Sequence, residues 1–186
     1  MSQGMRSELL FTVGPVEMED SILWEGARQP PYFRTPEFSK LNLEISELIK
    51  SLLNTRSDSE VILLTASGTG AMEATVLNLF GTDDKVLVVD GGTFGHRFVE
   101  ICETLLVPHT VLSLEPGRDL PEGLLEDFRG KGYTGLLINA HETSTGLLYS
   151  LESLGKFCKE ENLLLVVDAI SSFLADDYFM DFWGIS

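Results

Sequence analysis

The chain has 186 residues, 44% of them apolar, enough to bury the core of one domain or a large piece of one. Thirteen Lys and Arg stand against 29 Asp and Glu, and the resulting net charge of -16 opposes nonspecific attraction to nucleic acid or anionic lipid, so neither is expected as a partner. No stretch approaches the roughly 20 apolar residues of a membrane-crossing helix, and residues 1–8 lack the charged-then-apolar order of a secretory signal, which makes the cytoplasm the expected location.

Residues 1–34, with Gly14, Pro15, Pro30 and Pro31, read as an irregular arm, and residues 35–186 as one domain left incomplete at its C-terminus. Phe38, Leu41, Ile45, Leu48, Ile49 and Leu52 recur at helical spacing, which predicts an amphipathic, core-packing helix over 35–53. From Glu60 onward, short runs of Val, Leu and Ile alternate with segments of helical length. The expected strands are 61–65, 86–90, 110–114, 135–139 and 163–168, and the expected helices 69–80, 94–106, 122–129 and 151–161. That order is the mark of an α/β fold, a mostly parallel sheet flanked by helices. Cys102 and Cys158 fall in helix-like segments between apolar neighbours, so buried thiols are expected rather than a disulfide. The closing residues 176–186, DDYFMDFWGIS, are too apolar for a solvated tail and read as an interrupted fold whose cover lies downstream.

Four polar motifs sit where strands end. ASGTGAMEA at 66–74 follows an apolar run and opens a helix; its small residues allow backbone N–H groups to approach a phosphate, with Ser67 and Thr69 as hydroxyl donors. A plain tight turn with Ser67 as a helix cap accounts for the same residues equally well. Asp168 ends the strand LLLVVD, where parallel sheets receive ligands, and a carboxylate there calls for a positive partner, unless it caps the next turn through Ser171 or Ser172. DGGTFGHR at 90–97 places Phe94 near the same edge, either as a ring that stacks on a flat ligand or as ordinary core. NAHETSTG at 139–146 is a polar cluster of the kind that builds sites in loops. No metal site is expected.

In this order, ASGTGAMEA, VLVVDGGTFGHRF, HETSTGLLYSLESLGKFCKEENLLLVVDAISS and DFWGIS resemble the class V aminotransferases of pyridoxal-phosphate fold type I. Within that class they are similar to the alanine–glyoxylate, serine–pyruvate and 2-aminoethylphosphonate–pyruvate group. LLFTVGPVEM resembles the family's Gly-Pro arm, and FRTPEF its H-R-x-x-E-F segment with Phe33 in place of the histidine. The cysteine-desulfurase branch fits less well, since it would place histidine at the position of Phe94.

The resemblance implies the cofactor-binding large domain of an enzyme that transfers an amino group from a small amino acid or aminophosphonate to a keto acid, using pyridoxal 5′-phosphate as a homodimer when full length. It implies that Ser67, Gly68 and Thr69 hold the phosphate, that Phe94 and Ile170 cover opposite faces of the ring, and that Thr143 meets the ring hydroxyl. Asp168 would pair with the ring nitrogen as the catalytic acid, and Gly14 and Pro15 would edge the substrate pocket. The family's covalent lysine follows the W-G-I motif, here Trp183 to Ile185. The six lysines present, Lys40, Lys50, Lys85, Lys131, Lys156 and Lys159, all precede Asp168, so the 186 residues are expected to be inactive alone. Two alternatives stand beside this reading: a truncated noncatalytic module for cofactor binding or dimerisation, and a lyase of the same class.

Overall fold

The computed structural model describes residues 10–56 and 58–186, so the expectation drawn from residues 1–8 lies outside them. The chain forms two compact units that divide at Ile45/Ser46, where the sequence suggests a boundary at 34/35.

In the first unit the arm expected to be irregular contains a short helix, α1 (Asp20–Gly26), with Asp20 in its first turn and an Arg28–Glu25 ion pair of 2.8 Å beyond its end. An acid in the first turn complements the helix dipole, a local effect that the surrounding prolines mask in the sequence. Helix α2 (Pro36–Leu52) begins under Thr35, whose hydroxyl accepts from the Phe38 N–H at 3.2 Å. The boundary between the units falls inside α2. The apolar face read as core packing buries none of its residues.

In the second unit, α3 (Gly68–Leu79), β1 (Val86–Asp90), α4 (Thr93–Thr104), β2 (His109–Ser113) and β3 (Gly135–Asn139) follow in order. After them come a two-residue pair, β4 (His141–Glu142) and β5 (Leu147–Leu148), then α5 (Leu151–Glu161), β6 (Leu164–Asp168) and α6 (Met180–Trp183). The sheet order is β2-β1-β3-β6 with every pairing parallel. Period-two alternation divides the core. Val86 and Val88 of β1 pack with Met72, Val76 and Phe98 of α3 and α4, while Leu87 and Val89 pack with Leu154 and Phe157 of α5. All four β1 side chains are fully buried, which is why a strand covered on both faces reads as an unbroken apolar run.

Three expectations need correction. Residues 61–65 do not form a strand: Ile62 is 79% exposed, and no described strand pairs with this run. An apolar sequence becomes a strand only where a neighbour takes its N–H and C=O groups. The helix expected over 122–129 is a 3₁₀ turn, Leu124–Phe128, preceded by Gly123 at φ +79°, which breaks helical propagation. The polar loop 139–146 folds as the antiparallel β4–β5 hairpin, closed where the Glu142 carbonyl accepts from Gly146 N–H at 2.8 Å.

The apolar segment 176–186 is partly covered from within. Tyr178 is buried, Met180 N–H donates to the Leu53 carbonyl at 2.9 Å, and the Asn54 amide donates to the Tyr178 carbonyl at 2.5 Å. Ile185 bridges Leu165 in parallel, and Ser186 N–H donates to the Leu165 carbonyl at 2.9 Å, so this segment starts along the outer edge of β6. Phe179 and Phe182 stay exposed.

Cys102 and Cys158 are free and buried, and burial pushes their thiols up to about 11 and about 12. Because the thiolate is the reactive form, neither is expected to react with a thiol reagent at neutral pH until the chain unfolds. Titration with and without denaturant checks this; rapid native reaction of either would refute the packing described.

Candidate functional site

Asp90, Asn139 and Asp168 end β1, β3 and β6, so the carboxyl edge of the sheet carries polar groups at three successive strand ends. Asn139 and Asp168 are paired in register, and Ala140 N–H donates to the Asp168 carbonyl at 2.7 Å. Beside Asp168 lies a cavity of about 590 Å³, mostly apolar, with Gly68, Met72, Phe98, Val166, Ile170 and Phe173 among its walls.

Asp168 is the acid of this cavity. One oxygen accepts from the Ile170 N–H at 3.0 Å, rather than from Ser171 or Ser172. Burial pushes its carboxyl above the usual range, the Ile170 hydrogen bond works against that, and the charge of Glu142 adds to it. None of these influences is cationic. A half-buried carboxylate that meets no positive partner among the described residues, in an apolar cavity beside a helix start, is suited to a ligand that brings a protonated nitrogen.

Ser67 caps α3 by accepting from Gly70 N–H at 3.2 Å. A side chain at Gly68 would put its Cβ 2.7 Å from Ile170 Cδ1, so the Ile170 side chain, itself 66% exposed, lies across the first turn of α3 and would have to turn aside for any other residue there. Thr69 lines a separate groove of about 140 Å³ with Glu73, Arg97 and Glu100. The Thr143 and Ser171 hydroxyls share a 2.5 Å hydrogen bond that ties the hairpin to the turn after β6. Phe94, 40% exposed, sits in the first turn of α4, while the cavity wall is formed one turn later by Phe98. The structure therefore gathers Gly68, Asp168 and Ile170 in one cavity and leaves Ser67, Thr69, Phe94 and Thr143 outside its lining. Gly14 and Pro15 belong to the first unit, where a cis peptide joins them and Thr12 donates to the Pro15 carbonyl at 2.6 Å.

Glu142 is the residue the sequence hides. It has no exposed surface, yet it carries a carboxylate held by the N–H groups of Phe94, Gly95 and Ser144, the Ser144 hydroxyl and the Asn139 amide. Burial would raise its proton affinity, but those hydrogen bonds outweigh it and hold the carboxyl below the usual range. Its sequence signals are its place in the polar run at 139–146 and an acid three residues after a fully buried strand. His96, by contrast, is exposed and bonded to Asp90 at 2.9 Å, which raises its proton affinity.

No lysine lines the cavity. Lys40 and Lys50 pair with Glu44 and Glu47, Lys85 and Lys131 lie over the rings of Tyr133 and Phe128, and Lys159 donates to the Phe182 carbonyl at 2.6 Å. Lys156 lines a groove between α5 and the 3₁₀ turn. Among the described residues, no group of three or more His, Cys, Asp and Glu is arranged to hold a metal ion.

Residues 32–185 match the family model described as Aminotransferase class-V. The soluble hydrogenase small subunit of Synechococcus sp. is 32% identical over 182 residues, covering 95% of this chain and 47% of its own length. The serine–glyoxylate aminotransferase of Hyphomicrobium methylovorum is 30% identical, covering 95% of this chain and 47% of its own length. Among solved structures, an aspartate aminotransferase of subgroup IV from Thermus thermophilus superimposes with a TM-score of 0.86 at 35% identity, covering 96% of this chain and 51% of that one. The chain thus spans about half the length of the relatives it matches.

Proposed function

This chain belongs to the class-V aminotransferases, and on that premise we propose that it forms the cofactor-holding part of an enzyme that moves an amino group from a small amino acid or aminophosphonate to a keto acid. The cofactor of the family is pyridoxal 5′-phosphate. When bound, it supplies a ring that takes up the negative charge developing on the substrate carbon. The Asp168 carboxylate, which meets no cation among the described residues, would accept a hydrogen bond from the ring nitrogen and keep the proton there. That unpaired acid in its apolar cavity is the observation that carries the reading.

The remaining roles follow the family resemblance. Backbone N–H groups at Gly68 and Thr69, with the hydroxyls of Ser67 and Thr69, hold the phosphate at the start of α3, where the helix dipole favours an anion. Phe94 and Ile170 would cover the two faces of the ring, and Thr143, bonded here to Ser171, would meet its hydroxyl. Gly14 and Pro15 contribute to substrate binding. By the family resemblance the covalent lysine follows the W-G-I motif, here Trp183 to Ile185, and the enzyme works as a cytoplasmic homodimer.

The test is a titration of the full-length protein with pyridoxal phosphate, read by visible absorption and followed by a panel of amino donors with keto-acid acceptors. Saturable binding and amino transfer are expected; a protein that shows neither refutes the proposal.

A further inference from the structure

Helix α4 has no cap from its own chain start: Gly92 offers no side chain, and a Cβ there would lie 2.6 Å from Glu142 Cδ and 2.5 Å from Ser144 Oγ. The cap comes from 47 residues away. Glu142 Oε2 accepts from Gly95 N–H at 2.9 Å, and Oε1 lies 3.4 Å from the Phe94 nitrogen. The same two oxygens accept from the Asn139 amide at 3.0 Å and from Ser144 N–H at 3.1 Å. One buried carboxylate therefore joins the end of β3, the hairpin that carries Thr143 and the first turn of α4 that carries Phe94. Its charge sits on the amide end of α4, where the helix dipole favours an anion.

We propose that Glu142 is a positioning residue of the cofactor site, which locks the first turn of α4 to the β3–β4 hairpin and so fixes the Phe94 ring and the Thr143 hydroxyl against a bound pyridoxal phosphate. This rests on the function proposed above. A carboxylate suits the task because each oxygen accepts from more than one donor; glutamine has one accepting oxygen and would turn its NH₂ toward donors that need an acceptor.

The experiment compares Glu142→Ala and Glu142→Gln with Leu154→Ala in the full-length protein. Leu154 is buried on the opposite face of the sheet, in α5, and its truncation supplies a destabilised control that leaves the site alone. Hydrogen exchange at the Phe94 and Gly95 amides and the visible circular dichroism of bound pyridoxal phosphate are the readouts. Both Glu142 substitutions are expected to speed exchange about 10- to 100-fold, alter the dichroism and weaken cofactor binding by about tenfold, from the loss of charged hydrogen bonds. The control should alter none of these. If either foldable Glu142 variant matches the control in both exchange and dichroism, the positioning role is overturned. If the unsubstituted protein itself shows no cofactor dichroism, the family function fails instead, and amide exchange still reports whether Glu142 holds α4.

Discussion

Replacing Asp168 with asparagine in the full-length protein is expected to lower the rate of amino transfer by about 10²- to 10³-fold, the cost of removing one preorganised charge from a reacting centre. Without cofactor, the same substitution is expected to stabilise the fold at neutral pH. In the unfolded chain Asp168 titrates near the ordinary value of about 3.9. In the folded chain burial, joined by the charge of Glu142, raises it against the Ile170 hydrogen bond, so the folded state holds the proton more tightly. Stability is then greatest below the ordinary value, falls as pH rises through the window between the ordinary and the raised value, and stays lower at neutral pH. Asparagine never takes the charge, and it keeps an oxygen for the Ile170 N–H. Thermal melts of both proteins without cofactor, in acid and at neutral pH, should show the variant's advantage only at neutral pH. Added pyridoxal phosphate should reverse the ranking, because a protonated ring nitrogen favours the charged aspartate. A variant that melts below the original at neutral pH without cofactor would contradict the account of Asp168 as an acid lacking its cation.

Gly155→Ala should destabilise the second unit, although local preference argues the opposite. Alanine in a helix interior is favoured over glycine by about 1 kcal/mol. In α5, however, a Cβ at position 155 would overlap the Trp183 carbonyl oxygen and lie 2.7 Å from its carbon and 3.3 Å from its Cα. These are backbone atoms, which cannot rotate away as a side chain can. Relief requires α6 to move off α5, and overpacking of that kind costs about 1–3 kcal/mol or more, which exceeds the propensity gain. The segment that moves also carries the Leu165–Ile185 bridge and the Ser186 hydrogen bond to β6. Urea unfolding followed by Trp183 fluorescence measures the change; an unchanged or higher midpoint would show that α5 and α6 do not approach as described.

Much of the sheet could be read from the residues. The runs at Val86–Asp90 and Gly135–Asn139 are strands to the residue, because a parallel strand covered on both faces reads as a near-continuous apolar run up to its polar end. Helix α5 matches for a complementary reason: its apolar period fits one buried face, and Asn162 ends it in a left-handed conformation. The run at 61–65 carries the same kind of apolar signal and is no strand, since strand formation depends on a neighbour that composition does not reveal. Of the site, Gly68 and Asp168 stood out by position after apolar runs and Ile170 by the family resemblance, and the three share a cavity. Glu142 lies beside the site in the polar run at 139–146 but drew no role of its own, because its donors lie 47 and 48 residues away in the chain.

By itself the sequence determined most element types of the sheet region and the family, because periodicity and ordered motifs are local properties of the chain. Tertiary structure alone decided which polar groups meet. It left Asp168 without a cation among the described residues, turned Ser67 to a cap, bonded Thr143 to Ser171 and set the Glu142 carboxylate on the end of α4. Burial, charge balance and hydrogen-bond satisfaction belong to neighbours in space, and those neighbours exist only once distant strands and helices have packed.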